Sequence, residues 1–359
     1  MTNDEIRQIA ASLLETIDTK SQSANEIINA YTKSHRYIEA QDRQLLLEMI
    51  WRVIRVKARL GYLYPTATWY DKIALSEQVL PDLTQAPDWV RWEVPEWLIA
   101  HIPNAENELP ALLDTAPIVL RANGSRDKIL KLLQDEGLKV HACQRSPLGI
   151  VLEQYVNLTD VKAYKKGLIE VQDEGAQLLS MDIGVKPHSD VFDFCAGTGG
   201  KSLIFAQLMN NKGFIQAYDT SYKRLSEISK RARRANATII KPVTRLPETH
   251  KKFDFVVVDA PCTGIGTWRR TPDMRWNITQ NQIDSIVQTQ AEILDKASEY
   301  VKNGKCLAYI TCSLSQDENE LQTQHFLQTH PRFISVFERR YSPYLTQTDG
   351  FYLSVMQKR

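Results

Sequence analysis

The segment Val191–Ser202, which reads V-F-D-F-C-A-G-T-G-G-K-S, constrains the fold more than any other stretch of the chain. A short apolar run ends in a glycine-rich turn, and the turn leads into an apolar stretch with helical spacing at Leu203–Met209. Glycines at 197, 199 and 200 let the backbone approach a ligand closely, and the start of the following helix offers N–H groups without intrahelical partners. The segment therefore predicts a strand, a tight loop and a helix that bind a nucleotide-like ligand.

Three classes of nucleotide-binding loop compete for this segment. A dinucleotide fingerprint needs the spacing G-x-G-x-x-G, which the three glycines do not match. A phosphate-binding loop needs G-x-x-x-x-G-K-[ST]; its end fits Gly200-Lys201-Ser202, but its first glycine would fall on Cys195. The third class is the S-adenosylmethionine loop of a class I methyltransferase. The loop alone does not choose among them.

Length and composition indicate an ordinary globular protein. The 359 residues are enough for two or three domains, and the chain is 43% hydrophobic and 24% charged. The polar, acidic N-terminus and the lack of an apolar run of about 20 residues predict neither a secretory signal nor a membrane span. The net charge of +1 neither requires nor excludes nucleic acid. Five widely spaced cysteines without a C-x-x-C pair predict a cytoplasmic protein with reduced thiols and no metal site.

Three regions differ in pattern. Residues 1–106 are predicted to form a helical region followed by a connector rich in Trp and Pro. Residues 107–168 are assigned to a small α+β module, because the order β-α-β-β-α-β between 116 and 173 is typical of ferredoxin-like or RNA-recognition modules. Residues 169–359 alternate strand and helix, which predicts a doubly wound parallel sheet. The basic residues between Arg52 and Arg59 fit either a solvated helix face or an RNA-facing one.

Residues just past the strand ends are the candidates for function, since ligands of such sheets bind beyond the carboxyl ends of the strands. Asp219 follows the second predicted strand, Gly213–Tyr218, where a carboxylate accepts hydrogen bonds from a ribose or caps a helix. Asp259 follows the fourth, Phe253–Val258, in the turn D-A-P-C, which ends at Cys262, and it would also fit the acid of a nucleotide triphosphatase. Cys312 follows the fifth, Lys305–Thr311, in I-T-C-S. We expect the two cysteines to lie close together, and a phosphotransferase has no use for two thiols.

With these motifs the chain resembles the Nop/Sun family of RNA cytosine-C5 methyltransferases, and it is most similar to the bacterial ribosomal RNA members. The small module resembles the domain that precedes the family's catalytic core, and the N-terminal helices resemble its NusB-like RNA-binding domain. The matching stretches cover the C-terminal half in family order: V-Q-D-E-G-A-Q-L (171–178), F-C-A-G-T-G-G-K (194–201), V-D-A-P-C-T-G-I-G-T (258–267), R-R-T-P-D-M-R-W (269–276), Y-I-T-C-S-L (309–314) and T-D-G-F-Y (348–352).

The chain departs from the family pattern at two places. Ala196-Gly197-Thr198 replaces the usual A-A-P of the glycine loop, which keeps the glycines. The family usually has an acid after the third strand to hold the adenine amino group, whereas residues 241–246 read K-P-V-T-R-L. We therefore expect adenine to be recognised differently in this chain.

The resemblance implies a mechanism and a set of site residues. Cys312 is the nucleophile that adds to C6 of cytosine, Cys262 assists release of the product, and Asp259 holds either the edge of the base or the methionine end of the cofactor. Arg269 and Arg270 contact RNA, and Asp219 holds the ribose of S-adenosyl-L-methionine. The other predicted cofactor-binding residues form the glycine loop: Cys195, Ala196, Gly197, Thr198, Gly199, Gly200 and Lys201.

Other functions stay open from the sequence. A DNA cytosine-C5 methyltransferase also uses a Pro-Cys turn, but there the thiol of that turn attacks the base. A non-catalytic RNA-binding assembly factor could retain the same fold, and a nucleotide triphosphatase is a third alternative. We expect a cytoplasmic monomer that acts on a single-stranded or flipped cytidine, most simply in ribosomal RNA, without a membrane or a metal.

Overall fold

The computed structural model describes residues 1–20 and 22–359, which form two compact units. The first unit comprises residues 1–115 and 268–279, and the second comprises residues 116–267 and 280–359. The chain therefore leaves the second unit after Thr267 and returns to it at Gln280. Within the described residues, no helix has the length and apolar character needed to cross a membrane.

The first unit is helical, as its amphipathic sequence predicts. Residues 43–60 carry one broad apolar stripe, which predicts a single long helix. The structure has two helices there, because the buried carboxylate of Glu93 accepts hydrogen bonds from the amides of Ala58 and Arg59 and so caps a new helix. Burial raises the pKa of this carboxyl to about 7. The helices are Asn3–Thr19, Ala24–Ser34, Ala40–Arg55, Lys57–Leu63, Trp69–Leu75, Asp88–Arg91, Ala105–Ala111 and Met274–Asn277, with a 3-10 helix at Glu96–His101.

The segment 268–279 belongs to the first unit through buried polar contacts. Arg275 is 1% exposed, and its guanidinium donates hydrogen bonds to the backbone carbonyls of Glu93 and Leu112. The carboxylate of Asp273 accepts a hydrogen bond of 2.8 Å from the amide of Ala24, at the start of a helix. Both side chains thus tie this segment to helical elements that are distant in sequence.

The second unit contains a small antiparallel sheet of four strands in the order β2-β3-β1-β4. The strands are β1 (Ile118–Ala122), β2 (Val140–Ala142), β3 (Gly149–Leu152) and β4 (Ile169–Val171). Helices Arg126–Asp135 and Lys162–Lys165, with a 3-10 helix at Leu158–Asp160, complete the order predicted from the sequence.

A seven-stranded sheet forms the rest of the second unit, in the order β10-β11-β9-β8-β5-β6-β7. The pairs from β9 to β7 are parallel, which confirms the predicted doubly wound sheet, whereas β11 is antiparallel to both β9 and β10. The strands are β5 (Asp190–Asp193), β6 (Phe214–Tyr218), β7 (Ile240–Val243), β8 (Phe253–Asp259), β9 (Val301–Thr311), β10 (Phe333–Tyr341) and β11 (Phe351–Lys358). The helices are Glu174–Asp182, Gly200–Leu208, Tyr222–Arg234, Gln280–Ser298, Glu320–Thr329 and Pro343–Thr346, with a 3-10 helix at Ile265–Thr267.

The paired stretches of β8 and β9 are mainly apolar on both faces, because both faces of the sheet are buried there. Val257 of β8 and Ala308 of β9 pack into the core on one face, and Val256 and Leu307 pack into the core on the other. This alternation follows from the two-residue period of a strand. The two cores hold β8 and β9 rigidly, and these are the strands that precede the two candidate cysteines.

We predict that Gly167→Ala destabilises the protein more than Gly184→Ala. Both glycines have positive φ, +68° and +79°, which costs an alanine about 1 kcal/mol at either site. A Cβ at Gly167 would lie 1.8 Å from the carbonyl oxygen of Arg234, whereas a Cβ at Gly184 meets no described atom within 4 Å. Gly167→Ala should therefore lower the free energy of unfolding by a further 1–3 kcal/mol, roughly the cost of overpacking. Urea denaturation measures both values, and equal losses would contradict the close approach.

Candidate active site

The glycine loop connects β5 to the helix Gly200–Leu208 and has the shape that its glycines permit. Gly197 and Gly199 adopt left-handed backbone conformations, with φ of +54° and +84°. The amide of Ala196 donates to the last carbonyl of β6, and the amide of Gly197 donates to the Asp219 carboxylate at 2.9 Å. The loop is thus fastened to the carboxyl end of β6.

Asp219 is 5% exposed and has several partners in the described structure. Besides Gly197, its carboxylate accepts hydrogen bonds from the amide of Ser221, at 2.7 Å, and from the guanidinium of Arg224, at 2.7 Å. The carboxylate therefore orders the loop and the start of the next helix together. Sequence inspection did not single out Arg224, because it is one of six cationic residues on that helix.

A cavity of about 650 Å³ opens beside the glycine loop and Asp219. Its volume lies within the range of about 300–1,000 Å³ that is usual for sites of small ligands and cofactors. Its lining combines apolar side chains with carboxylates and cations, which suits a ligand with both a ring and polar ends. The lining consists of Phe194, Cys195, Gly197, Tyr218, Asp219, Thr220, Arg224, Leu246, Asp259, Pro261, Thr289, Glu292, Ile293 and Lys296.

Other residues of the glycine loop form hydrogen bonds and ion pairs with neighbouring side chains. The carbonyl and hydroxyl oxygens of Thr198 both accept hydrogen bonds from Arg231, and the carbonyl of Gly200 accepts one from Arg121. The side chain of Lys201 pairs with Asp259. The cofactor-binding roles predicted for the loop stay predictions, with Cys195 and Gly197 as its members on the cavity wall.

Lys201 and Asp259 form an ion pair in which Nζ and the carboxylate oxygen are 2.6 Å apart. Burial by itself would lower the pKa of the Lys201 ammonium, but the charge and hydrogen bond of Asp259 outweigh it and raise the pKa. Lys201 is therefore held as a cation. Because Asp259 ends β8 and also lines the cavity, the pair joins the glycine loop to the turn that carries Cys262.

Cys262 and Cys312 lie side by side, with 3.2 Å between their sulfur atoms. The amide of Cys312 also donates to the sulfur of Cys262, at 3.4 Å. The hydrogen bond with Cys312, together with burial, raises the pKa of the Cys262 thiol well above its ordinary value. The predicted proximity of the two cysteines is thus observed, with Cys262 held in its protonated form, while their catalytic roles stay predictions.

Asp193 lies under the glycine loop at the end of β5 and is fully buried. Its carboxylate accepts a hydrogen bond of 2.5 Å from the hydroxyl of Ser202. Burial raises the pKa of Asp193 to about 7, and the charge of Asp259 adds to the increase. This acid supports the loop, and the sequence alone had shown it only as a polar residue within a strand.

Glu318 is a buried carboxylate that sequence inspection missed. It contacts both cysteine-bearing turns through Thr263 and Ser313, which directly follow Cys262 and Cys312. Acids occur at 317 and 318 before the helix Glu320–Thr329 and at 320 in its first turn, and no local pattern distinguishes the one that is fully buried.

The predicted RNA-contacting pair Arg269 and Arg270 belongs to the first unit, where the two side chains differ in exposure. Arg269 is buried and its carbonyl accepts a hydrogen bond from Arg55, whereas Arg270 is exposed. Their contacts with RNA stay predictions. Within the described residues, no group of three or more His, Cys, Asp or Glu side chains is arranged to hold a metal ion.

Comparison with known proteins identifies related sequences. A family model described as 16S rRNA methyltransferase RsmB/F matches residues 181–357. The ribosomal RNA small subunit methyltransferase B of Proteus mirabilis (strain HI4320) is 30% identical over 282 residues, which cover 75% of this chain and 67% of the relative. The probable ribosomal RNA small subunit methyltransferase B of Bacillus subtilis (strain 168) is 29% identical over 322 residues, or 81% of this chain and 70% of the relative.

Comparison with solved structures supports the fold over the whole length of the chain. The crystal structure of PH0851 superimposes with a TM-score of 0.80 and 22% sequence identity, and the match covers 100% of this chain and 99% of the other.

We predict that Asp193 makes stability depend on pH. The unfolded chain releases this proton near the ordinary pKa of 3.8, and the folded chain near 7, so the folded state binds more protons in between and loses stability as pH rises. The free energy of unfolding of the wild type, relative to Asp193→Asn, should fall with pH by up to about 1.4 kcal/mol per unit between about pH 4 and 7. Denaturant titrations at a series of pH values measure the difference.

The control for this titration is Asp190→Asn, which removes a half-exposed carboxylate from the start of the same strand. If the difference in the free energy of unfolding between wild type and Asp193→Asn stays constant from pH 4 to 8, the raised pKa of Asp193 is contradicted.

Proposed function

Because the chain belongs to the 16S rRNA methyltransferase RsmB/F family, we propose that it methylates C5 of a cytidine in the RNA of the small ribosomal subunit. The chain is an S-adenosylmethionine-dependent RNA methyltransferase. The choice of ribosomal RNA is supported by the names of its relatives in Proteus mirabilis and Bacillus subtilis. We further propose that it acts as a monomer in the cytoplasm, where ribosomal RNA is assembled into subunits.

The observation that carries the proposal is the pair of sulfur atoms 3.2 Å apart, next to the turn that contains Asp259. C5 of cytosine is a poor nucleophile, and it becomes reactive when a thiolate has added to C6. A second thiol beside the first provides a hydrogen-bond donor for the sulfur that must later leave. The turns after β8 and β9 place two adjacent thiols beside a cofactor-sized cavity. One thiol can therefore attack C6 while the other donates a hydrogen bond to the sulfur that leaves.

The cavity fits the cofactor in size and in the distribution of its polar groups. When bound, S-adenosylmethionine supplies an electrophilic methyl group carried on a sulfonium. We assign the ribose to Asp219 and the methionine end to the loop Cys195–Lys201, which Asp259 joins through its ion pair with Lys201. Leu246 and Ile293 offer apolar walls for adenine, consistent with the lack of an acid at 241–246. Arg224, already bound to Asp219, must share that carboxylate with the ribose or move aside.

We assign the attack on C6 to Cys312. Its thiolate adds to C6, the electron pair of the C5–C6 double bond makes C5 nucleophilic, and C5 accepts the methyl group. Loss of the C5 proton then restores the double bond, and the Cys312 thiolate is expelled. The hydrogen bond from Cys262 stabilises that thiolate as it leaves. Lys201, held as a cation by Asp259, keeps a positive charge at the edge of the site.

In DNA cytosine-C5 methyltransferases the thiol of the Pro-Cys turn attacks the base, and membership of the RsmB/F family of RNA methyltransferases supports the opposite arrangement here. A thiolate is the reactive form of cysteine, and the raised pKa of Cys262 keeps that residue as a thiol. The target base must leave its stack to reach Cys312, so the substrate is a single-stranded or flipped cytidine. The exposed Arg270 is our candidate for a backbone contact with that RNA.

We predict that Asp219→Ala weakens the binding of S-adenosylmethionine. Loss of the ribose hydrogen bonds to a charged acceptor should cost about 1–3 kcal/mol of binding free energy. Isothermal calorimetry on the full chain measures the effect. Glu227→Ala is the control, since it removes a half-exposed carboxylate on the adjacent helix that pairs only with Lys230 among the contacts described. Unchanged affinity in Asp219→Ala would remove Asp219 from the cofactor site.

We also predict that the two cysteine variants fail at different steps. Cys312→Ala should transfer no methyl group and form no covalent complex, because it lacks the attacking sulfur. Cys262→Ala should attack and methylate but release product slowly, so that a slow-migrating protein–RNA complex accumulates on a denaturing gel. The assay uses tritiated S-adenosylmethionine and transcribed small-subunit ribosomal RNA, and bisulfite sequencing locates the methylated cytidine.

Cys306→Ala is the control for this pair, as it removes a half-buried thiol from β9 without touching the two-thiol site. A trapped complex with Cys312→Ala instead of Cys262→Ala would reverse the assigned roles. Full turnover in both variants would reject the covalent mechanism and leave both cysteines as packing residues.

A further inference from the structure

Glu318 is completely buried, and both of its carboxylate oxygens accept hydrogen bonds. One carboxylate oxygen accepts hydrogen bonds from the amide of Thr263 and from the side-chain amide of Gln290, each at 2.9 Å. The other accepts from the hydroxyl of Ser313, at 2.5 Å, and from the hydroxyl of Thr263. A buried carboxylate is costly unless it is bonded in this way, so its partners are held in place as firmly as it is.

These contacts join the two turns that carry the reactive thiols. Thr263 directly follows Cys262, and Ser313 directly follows Cys312, so one carboxylate spans both turns. Gln290, from the helix Gln280–Ser298, extends the clamp: its amide nitrogen also donates to the carbonyl of Pro261 at 2.9 Å. The residues on either side of Cys262 are thus both bound to the Glu318–Gln290 pair.

The clamp is anchored to β9 as well. The hydroxyl of Tyr309 donates to the backbone carbonyl of Glu318 at 2.7 Å. The neighbouring Asn319 donates to the carbonyl of Ser313 at 2.9 Å and accepts from the hydroxyl of Thr311. Glu318 therefore has little freedom to move relative to the strand that ends next to Cys312.

We propose that Glu318 is a positioning residue that sets the distance between the Cys262 and Cys312 sulfurs through its contacts with both turns. This inference rests on the proposed function for its role in the reaction, although the geometry exists without RNA. Glu318 touches no reacting atom. The negative charge of Glu318 also contributes to the raised pKa of Cys262. It thereby helps to keep Cys262 protonated and able to donate a hydrogen bond to the other sulfur.

The step that needs this distance is the release of product. As the Cys312 thiolate is expelled from C6, the Cys262 thiol must lie within hydrogen-bonding reach of it. If the two turns drift apart, the attack by Cys312 still proceeds but the departure slows. Loss of the clamp should therefore resemble loss of Cys262 rather than loss of Cys312.

The test compares Glu318→Gln and Gln290→Leu with the wild-type full chain. Glu318→Gln keeps the size of the side chain but places an amide NH₂ among groups that all donate hydrogen bonds. Gln290→Leu removes the contact with Pro261 and leaves the negative charge of Glu318 in place. Glu320→Gln is the matched control, because this nearby acid pairs with Arg340 and its carboxylate makes no described hydrogen bond to either cysteine turn. Thermal unfolding establishes the folded fraction of each variant.

The first measurement needs neither RNA nor methyl donor. Dibromobimane becomes fluorescent when both of its arms have reacted, so its cross-linking of Cys262 to Cys312, located by peptide mapping, reports the proximity of the sulfurs. We expect rapid cross-linking in the wild type and in Glu320→Gln, and slower cross-linking in Glu318→Gln and Gln290→Leu. The same rate in all four proteins, or no cross-link in the wild type, would overturn the proposal.

The second measurement is turnover. We expect kcat to fall about a hundredfold in Glu318→Gln, the scale of an ångström of misplacement, with an unchanged KM for S-adenosylmethionine and a covalent protein–RNA complex that accumulates. A purely structural role would instead lower activity in proportion to the folded fraction, without trapped complex, and that result would reject the proposal. If Glu318→Gln does not fold, Gln290→Leu decides by the same criteria. A wild type that cross-links but methylates no RNA would reject the proposed function and leave the clamp intact.

Discussion

β8 and β9 pair in parallel from Phe255 opposite Cys306 to Asp259 opposite Ile310, and this ladder brings the candidate active site together. Because the strands run in the same direction, their carboxyl ends share one edge of the sheet, and the turns that follow them emerge side by side. Cys262 lies three residues beyond one strand end, and Cys312 directly follows the other. The 3.2 Å between their sulfurs is a consequence of this register and of the apolar cores that fix it.

Buried carboxylates recur at the places where separate segments must keep a fixed relation. Asp219 ties the glycine loop to the end of β6, Glu318 ties one cysteine turn to the other, and Glu93 of the first unit caps a helix more than thirty residues away. Taking such a group out of water costs several kcal/mol unless donors replace the solvent. Each carboxylate therefore accepts several hydrogen bonds. Replacing one of its donors should alter the positions of all the segments that the carboxylate joins.

The residues of the stretch R-R-T-P-D-M-R-W (269–276) differ in burial and in their contacts. Arg275 and Asp273 are buried in the helical unit and form hydrogen bonds with backbone groups of Glu93, Leu112 and Ala24, which are distant in sequence, so these two residues hold the segment in place. Arg270 is exposed, and Arg269 is not. Of the cations in this stretch, Arg270 has the exposure that a nucleic-acid contact needs, and at least one of the others has a structural role.

The sequence by itself determined the family, the cofactor class, the parallel sheet and the two cysteines. These features are local: a strand, a glycine loop and a helix follow one another within twenty residues, and each Cys stands in a short turn motif, so the resemblance to Nop/Sun methyltransferases is confirmed by the family match. Tertiary structure decided the rest. The pairing of β10 with β11 is not evident from the sequence of β10, which contains several charged residues. The sequence from residue 43 to 60 would favour one continuous helix, but the buried carboxylate of Glu93 divides it into two. Among the acids at 317, 318 and 320, packing against Thr263 and Gln290 selects Glu318, because burial and hydrogen bonding depend on residues that the chain brings together only when it is folded.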